Sequence, residues 1–535
     1  MSILLALLAS CGGGGGDAPA PGGPPADPAT PGVRVSAASA LAPGCDSGAA
    51  GTVFVNAEVE PFVAVSPLNA DHLVGAWQQD RVSNGGARAL VSAVSIDGGR
   101  TWARTLHPMS RCGGASGGSA GDNERATDPW VDIGADGTVH LMGLSFGGTN
   151  FTASSVSQML ASRSTDGGRT WSTPVSLQRD GANGFNDKNA LTADPTDARF
   201  VFAVWDRLDA AGNGPTLMAR SVDAGQTWET TRTIYAPAVA GGVSQTIGNR
   251  IVVLTDGPER GTLVNLFMQI DTVANRSTST LRIQRSPDKG LTWEAPITIA
   301  DSRSVGTRDP DTGAAVRDGA VVPNIATGRG GSLWVAWQDA RFSGGLRDAI
   351  AVSRSSDGGR TWSAPLAANR EPAVAAFIPT LQVRADGVVG LMHYDLRSNT
   401  NSTLTLGADL WLLTSRDGIS WTENTVTRGF NLAGAPSVTG GLFLGDYQGL
   451  VSSGNLFIPF VALSGSDATN RTDIHAVRID PLVPAFALGS REHIARAPQP
   501  RPGALSDVEF AQRRHEAIHR AMELRIPGWS RRVLR

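Results

Sequence analysis

The sequence predicts an all-β protein, a seven-bladed β-propeller of four-stranded antiparallel blades with a short C-terminal helix. Three observations predict this class. An eight-residue turn motif recurs along the chain, apolar strand-like segments precede each copy, and 64 of the 535 residues are glycine. Repeats with a period of this length are typical of architectures in which one domain absorbs a long chain. A ring of six blades is the alternative.

The motif is Ser-x-Asp-x-Gly-x-Thr-Trp. Full copies span residues 95–102, 164–171, 221–228, 286–293 and 355–362, and a copy one residue shorter spans 415–421. A hairpin turn explains the pattern, because the carboxylate accepts backbone N–H bonds, glycine takes a positive φ and tryptophan buries a large ring. We therefore expect the six aspartates to be structural: Asp97, Asp166, Asp223, Asp288, Asp357 and Asp417.

A strand, a turn and a second strand precede each motif, and the second strand often ends in Trp followed by Asp and Arg, as in residues 189–207 and 323–341. Each unit therefore contains three strands, the motif and a fourth strand, which together make one propeller blade. A seventh unit, from Tyr447 to Ile479, lacks the motif. We expect residues 51–56 to supply its fourth strand, because closing the ring removes an open sheet edge.

The two ends of the chain differ from the repeats. Residues 1–11 resemble the signal peptide and lipobox of bacterial lipoproteins, with Cys11 as the lipidated residue, and their apolar run is too short to span a bilayer. Residues 12–50, rich in Gly and Pro, predict a disordered tether, and residues 51–480 form the propeller. The Arg-rich tail, 481–535, contains a predicted helix over 506–524, since Ser506 and Glu509 make a capping box.

These features predict an exported lipoprotein of the bacterial cell envelope, in the outer membrane and facing either the periplasm or the surface. The membrane would be contacted only through the N-terminal lipid. With Cys11 lipidated, Cys45 and Cys112 remain either as a disulfide or as two free thiols. A formal net charge of -3 argues against nucleic acid as a partner.

Metal chemistry has little support in the sequence. The eight histidines show no ligand spacing, so no zinc site and no cofactor are expected. One acidic loop, from Arg308 to Asp318, offers oxygen ligands of the kind that Ca²⁺ takes, and an ordinary solvated loop is the alternative reading.

Over residues 51–480 the repeated motif resembles the Asp box, or BNR repeat, of the sialidase superfamily. The resemblance implies an active site on the face opposite the motifs, where innermost strands begin and second strands end. Innermost strands begin near Glu58, Glu60, Asp128, Asp187, Lys188, Arg250, Asp318, Asp446 and Tyr447. Second strands end near Asp80, Arg81, Asp206, Arg207, Asp339, Arg341, Tyr394, Asp395 and Arg397.

The resemblance also implies roles for some of these residues. Arginines would clamp a sugar carboxylate, because the planar guanidinium binds it bidentately, and the candidates are Arg81, Arg207, Arg250, Arg341 and Arg397. Asp128 would be the general acid/base, Tyr447 or Tyr394 the nucleophile, and Asp446 a further catalytic candidate. The Asp-x-Arg strand ends have a second reading, in which each is a local ion pair.

The Arg-Ile-Pro signature of sialidases is absent from the start of the propeller. It occurs only as Arg525-Ile526-Pro527 in the tail, where it is read as a coincidence. Two functions are therefore expected. The first is an exo-acting glycoside hydrolase of sialidase type that acts on extracytoplasmic glycans. The alternative is a non-catalytic propeller that binds a glycan or a protein at the cell envelope.

Overall fold

The computed structural model describes residues 32–47, 49–481, 491–499 and 503–525. The signal segment with Cys11 and the first part of the predicted tether lie outside these residues. In the described part of the chain, no helix is long and apolar enough to span a membrane. The described residues are mostly in strands, with one α-helix, so the predicted all-β class and the C-terminal helix are confirmed.

The strands form four-stranded antiparallel units, numbered here in chain order. Sheet 1 contains Val59–Val65, Leu73–Arg81, Ala87–Ser95 and Ala103–His107, and sheet 2 contains Arg125–Ile133, Val139–Gly147, Val156–Ser164 and Val175–Asp180. Sheet 3 contains Phe185–Ala193, Val201–Leu208, Thr216–Ser221 and Arg232–Tyr235, and sheet 4 contains Gly242–Val253, Leu263–Val273, Arg276–Ser286 and Ile297–Asp301. A single residue pair, Ala87 and Ala126, joins sheets 1 and 2.

Sheet 5 contains Asn324–Thr327, Leu333–Asp339, Ala349–Ser355 and Leu366–Ala367. Sheet 6 contains Ala376–Val383, Val389–Asp395, Gly407–Ser415 and Ser420–Asn431, with Arg491–Ile494 added at its outer edge. Sheet 7 contains Gly449–Ser453, Leu456–Ser464, Thr472–Ala476 and Val33–Arg34. A small sheet joins Val316–Arg317 to Gly441–Phe443 and Ser437–Val438, and 3-10 turns occupy Arg329–Gly331, Ala340–Phe342 and Leu432–Gly434.

The repeated motif forms the hairpin turn expected of it, here called the repeat turn. In the copy at Asp166, the carboxylate accepts bonds from the Thr170 N–H at 2.9 Å and the Thr170 hydroxyl at 2.6 Å. The Ser164 hydroxyl donates to the same carboxylate at 2.8 Å and accepts from the Gly168 N–H at 2.8 Å. Thr170 holds the pKa of Asp166 below its usual range. The carboxylate is therefore engaged within its own turn.

The innermost strands carry an irregularity that recurs from sheet to sheet. The pairing register shifts between Val59 and Phe62, Thr127 and Trp130, Asp187 and Ala190, Ile247 and Arg250, and Phe377 and Thr380. At each shift one residue has a positive φ: Glu60 (52°), Asp128 (52°), Lys188 (45°), Gly248 (67°) and Ile378 (51°). We call these positions the inner bulges, because an extra residue re-aims the side chain of its strand.

The outer strand of sheet 7 is not the one expected. Val33–Arg34 pairs with Thr472–Ala476, whereas residues 51–56 make only one bridge to the neighbouring strand, between Val53 and Val82. The prediction that residues 51–56 close the ring is therefore wrong. The tether prediction also fails for residues 32–47, because Val35 is buried and Ser36 donates to Asp473 at 2.7 Å.

A disulfide bond joins Cys45 to Cys112, at a sequence separation of 67. Beside it, Arg88 donates to the Ala42 carbonyl and forms ion pairs with Asp46 and Asp80. This cluster attaches the N-terminal segment to sheet 1.

The α-helix of the described residues, α1, spans Asp507–Arg525. Its capping box is formed, since the Ser506 hydroxyl donates to Glu509 at 2.6 Å and accepts from the Glu509 N–H at 3.3 Å. Ile518 and Met522 are buried against the sheets. The Arg514 and Arg520 side chains donate to the carbonyls of Ser302 and Val305. The helix therefore docks on the same end of the sheets as the inner bulges.

Candidate axial site

Three consecutive inner bulges bring charged side chains together at the centre of the sheets. Lys188 Nζ lies 3.5 Å from Glu60 and 3.2 Å from Asp128. It also lies 2.7 Å from Asp446, which precedes the first strand of sheet 7. A residue other than glycine at positive φ costs about 1 kcal/mol or more, and such strain is concentrated at functional sites. Because Glu60, Asp128 and Lys188 all have a strained backbone, we take this cluster as the candidate site.

The carboxylates of the cluster have opposite protonation tendencies. Burial raises the pKa of Glu60 to about 8 despite the nearby Lys188 ammonium. Burial also acts on Asp128, but Lys188 and a hydrogen bond with Glu60 outweigh it and lower the Asp128 pKa. Near neutral pH, Glu60 is therefore protonated and donates to an ionised Asp128.

Two arginines complete the wall of the site. Arg317 Nε donates to Asp446 at 3.0 Å, and this pairing together with Lys188 keeps the pKa of Asp446 well below its usual range. Arg81 is buried, lies 4.6 Å from the Phe443 ring centre and donates to Gln78 at 2.7 Å. Burial and the Arg317 charge lower the pKa of Arg81 to about 10. Both guanidiniums face the cavity and remain charged at neutral pH.

The cavity at this site has a volume of about 170 Å³. Its polar wall includes Arg81, Asp128, Asp187, Lys188, Arg317, Asp318 and Asp446. Helix α1 forms the opposite wall through Ala517, Ile518, Arg520, Ala521 and Arg525. Arg525 Nε donates to Asp187 at 2.8 Å, and its other nitrogens contact Gln245 and Asp206. Arg525, whose Arg-Ile-Pro context was read from the sequence as a coincidence, therefore lines the site.

Neither of the two tyrosines predicted as nucleophiles, Tyr394 and Tyr447, lines the axial cavity. Tyr394 is fully buried between Phe377 and Phe430, and its hydroxyl donates to the Ala462 carbonyl at 2.8 Å. Tyr447 lies below the cluster and donates to the Pro129 carbonyl at 3.1 Å. Burial raises both pKa values well above 10, and neighbouring carboxylates raise that of Tyr447 further.

The predicted arginine clamp does not assemble. Arg207 pairs with Asp180, Arg341 with Asp339, and Arg397 with both Asp395 and Glu423. Each guanidinium forms an ion pair with a carboxylate of its own or the adjacent sheet and does not extend toward the axis. The prediction is therefore wrong for these three, and the local ion-pair reading holds.

Of the five predicted arginines, only Arg81 lines the axial cavity. Arg250 lies below it, over the rings of Phe62 and Trp130, at 5.6 and 5.3 Å from their centres. Burial lowers the Arg250 pKa to about 10. Asp128 and Asp446, both predicted, lie in the cluster with Glu60 and Lys188, and Asp187 and Asp318 line the cavity beside it.

Arg317 and Arg525 were not predicted as site residues. Arg317 comes from a connection that pairs with Gly441–Phe443, and Arg525 comes from the tail, so neither belongs to the repeat. A sequence signal for the inner bulges does exist. Glu60 and Asp128 each precede a proline, and Lys188 and Gly248 each precede an asparagine.

The acidic loop does not assemble a Ca²⁺ site. Asp309 accepts from Asp311 N–H and the Thr312 hydroxyl, and Asp311 accepts from Asn399. Across the described ranges, the one group of three acidic, His or Cys side chains with converging ligand atoms is Cys45, Asp46 and Cys112, where the two sulfurs are bonded to each other.

No protein-family model matches the chain, and no curated protein matches it. Solved structures with a similar arrangement include the Hadza microbial sialidase Hz136, with 17% identity, a TM-score of 0.44, and coverage of 77% of this chain and 74% of that one. A polysaccharide lyase, an ulvan lyase of family PL25, has 11% identity, a TM-score of 0.47, and coverage of 80% and 97%. The Fusarium graminearum α-L-arabinofuranosidase Arb93A has 12% identity, a TM-score of 0.40, and coverage of 66% and 93%. At these values, the function has to be inferred from this chain's own residues.

Proposed function

We propose that the axial cavity binds the end of a saccharide and that the Asp128–Glu60 pair transfers protons during cleavage of its glycosidic bond. The observation that carries the proposal is the contact of two buried carboxyl groups, Glu60 and Asp128, with the same Lys188 ammonium at the wall of the axial cavity; their pKa values are shifted in opposite directions. Pairs of carboxyl groups with separated pKa values are typical of acid/base catalysis, and glycosidases use them in this way.

The two carboxyl groups take different positions in this mechanism. Asp128 lines the cavity, so in this proposal it is the group that contacts the glycosidic oxygen. Glu60 lies behind it, fully buried, and holds the proton that Asp128 passes to the leaving oxygen. A water molecule then adds to the anomeric carbon, and its proton returns to the pair. Arg81, Lys188 and Arg317 supply donors for an acidic group or hydroxyls of the bound sugar.

The proposal does not specify a sialidase, because neither predicted tyrosine and only one of the predicted clamp arginines lines the axial cavity. We therefore keep the substrate class at a saccharide and assign the chemistry to the carboxyl pair. Sialic acid glycosides remain one member of the substrate panel, because the cavity is cationic on the Arg81–Arg317 side.

A panel of aryl sialosides, arabinofuranosides, hexosides and uronides tests the proposal on the purified chain. Asp128→Asn should reduce turnover at least 100-fold, as loss of a general acid/base does, while Asp223→Asn in a repeat turn should leave it unchanged. If no member of the panel is turned over faster by the wild-type protein than by Asp128→Asn, the catalytic proposal is wrong.

A non-catalytic glycan-binding propeller is the second candidate. The pairing of Asp446 with both Lys188 and Arg317 favours it, because such a network is a rigid platform for a ligand. This candidate predicts retention of wild-type and Asp128→Asn proteins on a glycan array without release of product.

We also propose that the sheets form a seven-bladed ring and that the protein is an envelope lipoprotein. The seven four-stranded units of the described residues support the blade number. Metabolic labelling with an alkynyl fatty acid tests the anchor. Label should enter the wild-type protein and not Cys11→Ser, and equal labelling of the two would exclude Cys11 as the acylated residue.

A further inference from the structure

A second cavity adjoins the axial one on the same face. It has a volume of about 530 Å³ and lies between α1 and the loops around residues 305–310, 346–347 and 373–375. Gly306 and Arg520 line both cavities, so the two spaces are neighbours. The axial cavity, at about 170 Å³, is smaller than the roughly 300–1,000 Å³ of ordinary ligand sites, whereas the second cavity falls within that range.

Four arginines line this second cavity, which we call the basic groove: Arg308, Arg347, Arg513 and Arg520. Each of the four donates to a backbone carbonyl, and none of the ion pairs among the described residues includes one of them. One acidic residue, Glu516, is on the lining, and it accepts from Gln512 at 3.0 Å. The whole chain has a formal net charge of -3, so this excess of positive charge is local.

The guanidiniums are held in place without being neutralised. Arg308 donates to the Gly313 carbonyl at 3.0 Å and Arg520 to the Val305 carbonyl at 3.1 Å. Longer contacts join Arg347 to Pro372 O and Arg513 to Leu346 O. Each guanidinium has five N–H donors, so most of them remain available for a bidentate acceptor. Burial and the nearby Arg308 charge lower the pKa of Arg520, which is the effect expected of two cations that lie close together with no anion between them.

We propose that the basic groove binds the acidic groups, carboxylate or sulfate, of a saccharide chain whose end occupies the axial cavity. The proposal rests on the proposed function for the nature of the ligand, and it adds the charge class and an extended binding path. A concave groove with apolar walls, including Val305, Leu346 and Leu396, suits a narrow chain.

Two probes test the groove on the full chain: a hexamer of galacturonic acid, with carboxylates, and a heparin hexasaccharide, with sulfates. The Arg308→Gln, Arg347→Gln, Arg513→Gln triple variant should bind at least one of them at least tenfold more weakly than wild type. Its affinity should also depend less on salt, because fewer ion contacts form. Arg520 is left intact, since it also lines the axial cavity.

A matched control is Arg100→Gln, Arg104→Gln, Arg169→Gln, in which Arg100 and Arg169 likewise donate to backbone carbonyls on exposed repeat turns. Equal affinity of the groove variant and this control for both probes would overturn the proposal. So would binding to vesicles containing anionic lipid with no binding to either hexasaccharide.

The outcome is separable from that of the proposed function. Asp128→Asn removes the acid/base without touching the groove, so it should lose turnover and keep its affinity for the acidic hexasaccharide. Loss of probe binding in the groove variant, with or without measurable turnover in the wild type, supports the groove alone.

Discussion

Arg525, at the end of α1, forms an ion pair with Asp187, with 2.8 Å between Nε and Oδ2. Asp187 adjoins the inner bulge of sheet 3, and Asp206, on the neighbouring strand, contacts the same guanidinium. Both partners and Arg525 itself are buried. The tail is therefore joined to the sheets at the centre of the candidate site.

Replacing Arg525 should weaken the attachment of the tail strongly. Arg525→Ala leaves Asp187 and Asp206 buried without their cation, and breaking a buried pair in this way costs about 3 kcal/mol. Urea unfolding should report the loss, and limited proteolysis should cut near residues 503–507 faster. Arg525→Lys should recover part of the loss. Unchanged unfolding and unchanged cleavage would mean that the tail is held by Ile518 and Met522 alone.

The raised pKa of Glu60 predicts a pH-dependent stability. Glu60 keeps its proton up to about pH 8 in the folded protein, whereas the unfolded chain loses it near its ordinary value of 4.5. Stability from this group is fully present below pH 4.5 and falls as pH rises toward 8, by up to about 1.4 kcal/mol per pH unit.

Glu60→Gln should remove that slope, because the amide mimics the protonated acid. Urea unfolding at pH 5, 6, 7 and 8 measures the difference from wild type, which also cancels the contributions of other buried carboxyls. Exposed Glu492→Gln is the control and should run parallel to wild type. A constant difference between wild type and Glu60→Gln over this range would contradict the raised pKa.

Removing the Tyr447 hydroxyl discriminates between carboxyl and tyrosine chemistry. The hydroxyl donates to the Pro129 carbonyl and its pKa is raised, so Tyr447→Phe should keep turnover within about fivefold of wild type. The substitution loses one buried hydrogen bond, so stability should fall by about 1 kcal/mol. Loss of turnover comparable to that of Asp128→Asn, with the fold intact by circular dichroism, would restore tyrosine as the nucleophile.

The repeat turns should matter for stability and not for activity. Asp166→Ala removes the carboxylate that accepts from Thr170 and Ser164, and we expect a loss of about 1 kcal/mol at pH 7. The Asp166 pKa lies below its ordinary value of 3.8 in the folded state, so the stabilisation is present above pH 3.8 and is lost as pH falls further. Thermal unfolding of Asp166→Ala and wild type should therefore converge in acid.

Reducing the disulfide should destabilise the N-terminal segment and sheet 1. For a loop of this size, with a separation of 67, the chain-entropy model gives a contribution of about 4 kcal/mol. Cys45→Ser, Cys112→Ser should lower the melting temperature, and dithiothreitol should lower that of the wild type but not that of the double variant. An equal response of both proteins to dithiothreitol would exclude a role for this bond.

The repeat made the fold predictable because its signal is local. Asp166 and its turn partners lie within seven residues of one another, so the motif alone specifies a hairpin and its period. Closure of sheet 7 was missed because Val33 pairs with Ala476 across nearly the whole chain. No periodic pattern predicts a pairing of that separation, and the Gly/Pro-rich surroundings of Val33 suggested a tether.

The candidate site was predictable where it depends on strand ends. Asp128 and Asp446 were placed correctly, because the start of an innermost strand lies near the axis whatever its side chain. Arg207 and Arg397 were not, because a long side chain turns toward the nearest carboxylate, and for these two the carboxylates of Asp180 and Glu423 lie away from the axis. The backbone position of a strand end fixes where a short side chain lies, but it does not fix where a guanidinium goes.

The short strand Val33–Arg34 and the Cys45–Cys112 bond have a mechanical consequence. A pulling force that enters the chain before residue 32 acts first on the pairing of Val33–Arg34 with sheet 7 and on the Arg34–Asp473 ion pair. If those contacts break, the segment extends only as far as Cys45, where the disulfide bond transfers the load to Cys112. The attachment therefore yields first at the short strand and is then limited by the disulfide bond, whose second cysteine lies in the connection between sheets 1 and 2.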